Sequence, residues 1–247
     1  PPYRDSFTIK TAPMLEGSFA SFGKPNVRIS KQNDIGLVEE IAKKAEVEGV
    51  PLIPSRATST RWSGTGEELD HGLLVPLYYL DQALESPVVC FSISGLPYRD
   101  HFRLGEVARD ACEELGRRAF FVASGDLSHR LIKGAPAGYS QRAKEFDRRI
   151  VDIATAGDFD SLYDIPEELV ETAGECGFRS IHWHARQCLE RRDDRQLAVE
   201  VELFVPPIAI PRLAFPSGCN EAESIVCDEP MTHRKEIVGA GLVVNLA

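Results

Sequence analysis

Residues 119–123, Ala-Phe-Phe-Val-Ala, run without a spacer into Ser124-Gly125-Asp126-Leu127-Ser128-His129. A short, wholly apolar run bounded by small polar residues reads as a strand buried on both faces. Polar residues and a glycine just past the carboxyl end of such a strand stand where open α/β sheets hold ligands. Working outward, Pro87 to Ser94 (PVVCFSIS) reads as a second buried strand. Between the two, residues 98–117 read as an amphipathic helix with Phe102, Val107, Ala108, Ala111 and Leu115 on one side. Further upstream, Ile35, Leu37, Val38, Ile41, Ala42 and Ala45 have helical spacing, with Asp34 to cap that helix and Gly49 to stop it. Val50 to Ile53 fits a short strand, Phe7-Thr8-Ile9 alternates, and residues 54–69 read as a loop. Leu73 to Leu80 has the spacing of a buried helix start. Downstream, a helix is expected around 141–156 with Phe146, Ile150 and Ile153 inward, and a short one from about Pro166. This alternation predicts a single α/β domain with a central, mostly parallel or mixed sheet flanked by helices.

A chain of 247 residues fits one large α/β unit. The formal net charge is -10, from 28 basic and 38 acidic residues. That balance argues against a nucleic-acid binder, which needs a basic footprint, and against docking on anionic lipid. No apolar run has the length of a bilayer span, and no signal-peptide pattern is visible. The six cysteines are spread out without a CxxC pair, which fits buried small apolar groups in a reduced, cytoplasmic setting. A homo-oligomer is compatible with these features.

Six histidines allow each to be weighed. His129 closes the segment after the buried strand, where Asp126 and Ser128 are near enough in sequence to orient its ring. His71, between Asp70 and Gly72, sits at a helix start, either as an incidental neighbour of a capping Asp or as a proton-transfer group. Glu175 lies in Ala-Gly-Glu-Cys-Gly (173–177), where flanking glycines let a carboxylate approach a ligand or metal closely. A plain surface turn would give the same pattern. His182 and His184 flank Trp183 and on a strand would share one face, half of a metal site without an obvious third ligand. His101 is expected on the solvated side of its helix, and His233 in a polar tail. Cys176 is of interest only as the neighbour of Glu175.

Taken together, DHGLLVPLYYL (70–80), SGDLSH (124–129) and AGECGFRS (173–180) resemble the LigB-type extradiol ring-cleavage dioxygenases. The likeness extends to FxIxxxPxLxGSFxxFGKP (7–25) and to the helix after Asp34, and it looks most like the branch associated with the AmmeMemoRadiSam system. It runs over about residues 1–181. The resemblance implies an oxidoreductase of aromatic compound metabolism. Such an enzyme opens a catechol-type ring beside its hydroxyls, with a small aromatic substrate and O2 as reactants. It further implies a non-haem Fe(II) cofactor held by two histidines and a glutamate, with Glu175 as the metal ligand in this sequence. His71 and His129 fall on the family's non-ligand histidines. A catechol must lose protons to chelate a metal, and a proton must later be returned, which suits imidazoles. The resemblance therefore assigns His129 as the main acid/base, and His71 to hydrogen bonding of bound dioxygen or a substrate oxygen.

Two departures from the family pattern carry expectations of their own. The family's iron-binding histidines lie upstream of the region matching 7–25, and no histidine precedes His71, so the N-terminal part of a 1–181 catalytic domain is expected to be missing. After AGECGFRSI the chain reads HWHARQCLERRDDRQ and then a Pro-rich tail. A reading-frame change near His182 is one account, with 182–247 then a segment outside the family pattern. Two other readings stand beside ring cleavage. One is a protein of the same fold that binds a metal or a partner without that activity. The other is a metal-independent hydrolase using Ser124 or Ser128 with His129, disfavoured because Ser128 adjoins His129 and no Gly-x-Ser-x-Gly elbow is present.

Overall fold

The computed structural model describes residues 5–55, 68–81, 86–189 and 240–246. In chain order the elements begin with β1 (Phe7–Lys10), β2 (Met14–Phe19), β3 (Lys24–Gln32), α1 (Ile35–Glu48) and β4 (Leu52–Ser55). They continue with α2 (His71–Asp81), β5 (Val88–Ser92), α3 (Tyr98–Glu114) and β6 (Arg118–Ser124). The remainder are α4 (Ala143–Ala156), α5 (Glu167–Ala173), α6 (Phe178–Leu189) and β7 (Ala240–Leu246). The main sheet has the order β4-β1-β5-β7-β6, while β2 and β3 form a separate antiparallel hairpin. β1 pairs parallel with β4 and antiparallel with β5, and β7 runs antiparallel between β5 and β6. β5 and β6 are therefore parallel to each other and the sheet is mixed, as the strand–helix alternation predicts.

The alternating residues of the strands build two layers against the sheet. Val89 and Phe91 of β5, Phe7 and Ile9 of β1, and Ala119 and Phe121 of β6 pack with Leu37 and Ile41 of α1, Leu104, Val107 and Ala108 of α3, and Trp183 of α6. Val88 and Cys90 of β5 and Val122 of β6 meet Leu73, Leu74 and Leu77 of α2, together with Leu15 and Ile29 of the hairpin. A third cluster joins Phe146 and Ile150 of α4, Leu169 and Val170 of α5, and Phe178 and Ile181 of α6. Each fully buried side chain of this size contributes about 1.5–3 kcal/mol of transfer free energy.

Local signals act where the sequence puts them. The Asp34 side chain accepts the Leu37 N–H at 3.1 Å, and Gly49, at φ 69°, ends α1. Three expectations are corrected. α3 stops at Glu114 rather than 117, and Leu115, expected inward, is 38% exposed, because Gly116 at φ 61° turns the chain toward β6. His101, expected on the solvated side, is buried on the inner face of α3 with Leu104, Gly105 and Ala108. His182 and His184 lie on helix α6 and not on a strand, and a helix sets positions two apart about 200° around its axis. β7 and the β2–β3 hairpin are elements the sequence reading did not name. The loop expected over 54–69 begins after Ser55, and residues 56–67 lie outside the described ones, as do His233, Cys219, Cys227 and the side chains of His184 and Cys188. Among the described residues no helix is long and apolar enough to cross a membrane.

Candidate active site

Two sequence segments meet beyond the carboxyl end of β6. Asp126 is the hub: its carbonyl accepts the Cys176 N–H at 3.2 Å and the Gly177 N–H at 2.9 Å, and its own N–H donates to Cys176 Sγ at 3.0 Å. Ser128 Oγ donates to the Ala173 carbonyl at 3.0 Å, and Ser180 Oγ donates to the Ser124 carbonyl at 2.8 Å. Glycine is what permits this contact. A Cβ on Gly125 would lie 2.9 Å from the Cys176 carbonyl oxygen and closer still to Gly177 Cα, and one on Gly177 would lie 3.0 Å from the Asp126 carbonyl oxygen. Both distances fall inside van der Waals contact, so the SGDLSH and AGECGF segments join only where neither backbone carries a side chain.

On this platform stand the titratable groups. His129, with a side chain 17% exposed, has Nε2 3.3 Å from Asp126 Oδ2. An ionised carboxylate can only accept, so Nε2 carries the proton in that bond and Nδ1 is left as the basic nitrogen of the neutral ring. Asp126 thus orients the imidazole as the sequence suggests. Ser128 does not, because its hydroxyl is turned to Ala173, which also occupies the hydroxyl that one form of the hydrolase reading needs. Glu175 accepts the Phe178 N–H through Oε2 at 2.5 Å and so caps the start of α6. Burial pushes its carboxyl above the usual range, opposed by that N–H, by Arg179 and by His129. Cys176 is a free, buried thiol, pushed up to about 12 by burial. The Asp126 carboxylate, His129 and Cys176 each offer a donor atom, all within 4.8 Å of one another.

The contacts described for His71 are a separate set. His71 opens α2, which Asp70 caps by accepting the Leu73 N–H at Oδ1 over 3.2 Å. Its ring meets Phe22, beside the hairpin, edge-on at 6.1 Å between centroids. Among the described contacts none joins His71 to His129 or Glu175. Sequence reasoning missed one acidic group, Asp147 of α4, whose Oδ1 accepts the Ser128 N–H at 2.9 Å. It also missed a sealed aromatic region on the far side of α6. There His101 Nδ1–H donates to the Pro97 carbonyl at 3.1 Å and Nε2 accepts the Ser94 N–H at 3.3 Å. His182 Nδ1–H donates to the Phe178 carbonyl at 2.9 Å, its ring stacks on Tyr98 at 4.6 Å, and its Nε2 is buried without a partner. Burial lowers both histidines to about 4. A small crevice lined by Phe7, Phe91, His101, Leu104, Ser180 and Trp183 lies here, and Ser180 joins it to the end of β6. The spacing His101, Leu104, Gly105, Ala108 is the signal that would have placed His101 inward.

A model of the catalytic LigB subunit of aromatic ring-opening dioxygenases matches residues 6–188. The chain belongs to that family. This LigB-family chain is also 32% identical to Protein CA_C1420 of Clostridium acetobutylicum over 180 residues, which is 72% of this chain and 38% of that protein. It therefore spans well under half the length of the curated relative it matches. LigB-family proteins typically use Fe(II), which sets the question of whether the donors here suit such an ion. The donor atoms that approach within 4.8 Å of one another are those of Asp126, His129 and Cys176, an O/N/S set; Glu175 is not among them, and its Oε2 accepts the Phe178 N–H.

Proposed function

We propose that this LigB-family chain is a non-haem Fe(II)-dependent extradiol dioxygenase that opens catechol-type rings with O2. The observation that carries the reading is the junction itself: Asp126 ties the His129 loop to the Glu175 turn through backbone and thiol alike. A proton-transfer group and a candidate metal ligand are thereby held on one platform. Glu175 would hold the iron, whose chemistry when bound is to acidify a chelated catechol and bring it together with dioxygen. The chain's own residues then handle protons. His129 takes a catechol proton at Nδ1, while Asp126 holds Nε2–H and favours the imidazolium that forms. The same nitrogen later returns a proton to an oxygen of the ring-fission product. His71 is assigned to hydrogen bonding of a substrate or dioxygen oxygen by the family resemblance alone, since no described contact joins it to His129 or Glu175.

Anaerobic reconstitution of the full-length protein with Fe(II), followed by oxygen uptake with catechols, tests this. Expected is a yellow ring-fission product, with turnover depressed about 10²- to 10⁴-fold in His129→Ala and iron largely retained. Glu175→Ala should lose iron, and full iron stoichiometry in that variant refutes the ligand assignment. A second reading, metal binding without ring cleavage, is favoured by the mutual approach of Asp126, His129 and Cys176 within 4.8 Å. Iron uptake without product supports it over the first.

A further inference from the structure

We infer that Asp147 is a positioning residue for His129, acting on the imidazole through the backbone of Ser128. The inference rests on reading His129 as the proton-transfer group. α4 is a fixed base, because Phe146 and Ile150 on either side of Asp147 are buried in the cluster with Phe178 and Leu169. From that base Asp147 Oδ1 accepts the Ser128 N–H at 2.9 Å. Ser128 is held a second time, its hydroxyl donating to the Ala173 carbonyl at 3.0 Å and accepting the Arg130 N–H at 3.2 Å. The residue before His129 is therefore braced from α4 and from the end of α5. The residue after it is tied in as well, since Arg130 reaches the Thr172 carbonyl at 3.4 Å. With both neighbours pinned, the backbone from which the ring reaches Asp126 is held in place. Burial lifts the Asp147 carboxyl, and the Ser128 N–H that it accepts opposes that lift.

The effect of this brace should be read at His129. Asp147→Ala removes the acceptor, while Asp147→Asn keeps a carbonyl oxygen for the Ser128 N–H and drops the charge. Two measurements on the full-length protein need no turnover: amide hydrogen exchange at Ser128, and the rate of diethylpyrocarbonate acylation of His129, with His71 as internal reference. In Asp147→Ala, Ser128 exchange should rise about tenfold and the His129 rate should rise several-fold relative to His71. Asp147→Asn should stay near wild type in both. Faster Ser128 exchange with an unchanged His129 rate in Asp147→Ala would overturn the inference, since the brace would then serve the loop alone. So would an Asn variant that behaves like Ala, because charge and not position would be acting. Where a catechol is turned over, Asp147→Ala should lower kcat by up to about 100-fold with KM unchanged, and should add nothing to a His129→Ala background. A wild type that turns over no catechol sinks the ring-cleavage reading, and the acylation rates still decide this one.

Discussion

Two histidine regions flank the start of α6, and they are built on opposite plans. On one side His129 is partly exposed, its ring held by one carboxylate and the amide before it accepted by another. On the other, His101 and His182 are buried among Phe7, Tyr98, Phe178 and Tyr163, each with Nδ1–H given to the carbonyl four residues earlier in the chain. An imidazole surrounded by rings and short of acceptors stays neutral and serves packing. One that leans on a carboxylate and is partly exposed is open to a proton-exchanging partner. Residue type alone does not separate the two, and the partners do.

Phe178 belongs to both regions. Its N–H binds Glu175, and its ring packs on Tyr98, His182 and Phe146. Phe178→Ala should therefore cost the most, about 3–5 kcal/mol in urea unfolding, and should lower iron affinity as well. Loss of stability with unchanged iron binding would show that the two regions are independent.

The sealed histidines should carry an acid signature. Their folded pKa values of about 4 lie below the unfolded value of about 6.5, so the unfolded chain binds more protons between those limits. The stability they contribute is present above pH 6.5 and is lost as pH falls toward 4, by at most about 3 kcal/mol apiece. His182→Phe removes one of the two and should flatten that slope in denaturation curves taken across the range. An unchanged slope would mean that His182 is not held neutral.

Gly125→Ala strikes only the polar junction. The new Cβ would overlap the Cys176–Gly177 backbone, which should cost about 1–3 kcal/mol and separate Asp126 from the Glu175 turn. His129 acylation should accelerate while the acid slope of the sealed pair stays in place. Ser180→Ala, which removes one hydrogen bond to the end of β6, should cost about 1 kcal/mol and leave both signatures unmoved.

The strands and helices nearest the site were legible because local patterns and tertiary demands agree there. Ala119, Phe121, Val122 and Ala123 of β6 and Val88 to Phe91 of β5 are buried and read as such, and Asp34 and Gly49 mark the ends of α1 chemically. β7 was not legible, since an apolar run after a long polar and proline-rich stretch carries no sign of which two strands it will separate. His101 was misplaced because its neighbours Arg99, Asp100 and Arg103 dominate a local reading, while its own polarity is satisfied inside by Pro97 and Ser94. Asp147 carries no motif at all. Its importance arises from a fold that sets α4 beside a loop nineteen residues upstream.

By itself the sequence determined the α/β class, the buried strand that ends in SGDLSH, and the set of groups able to move protons or bind a metal. Those follow from side-chain polarity and short-range spacing, which are properties of consecutive residues. Only the tertiary structure decided that Gly125 and Gly177 touch, that His129 leans on Asp126 by Nε2 and that His101 and His182 are kept neutral. These depend on which distant backbones approach within contact distance and on how much water remains around each ring.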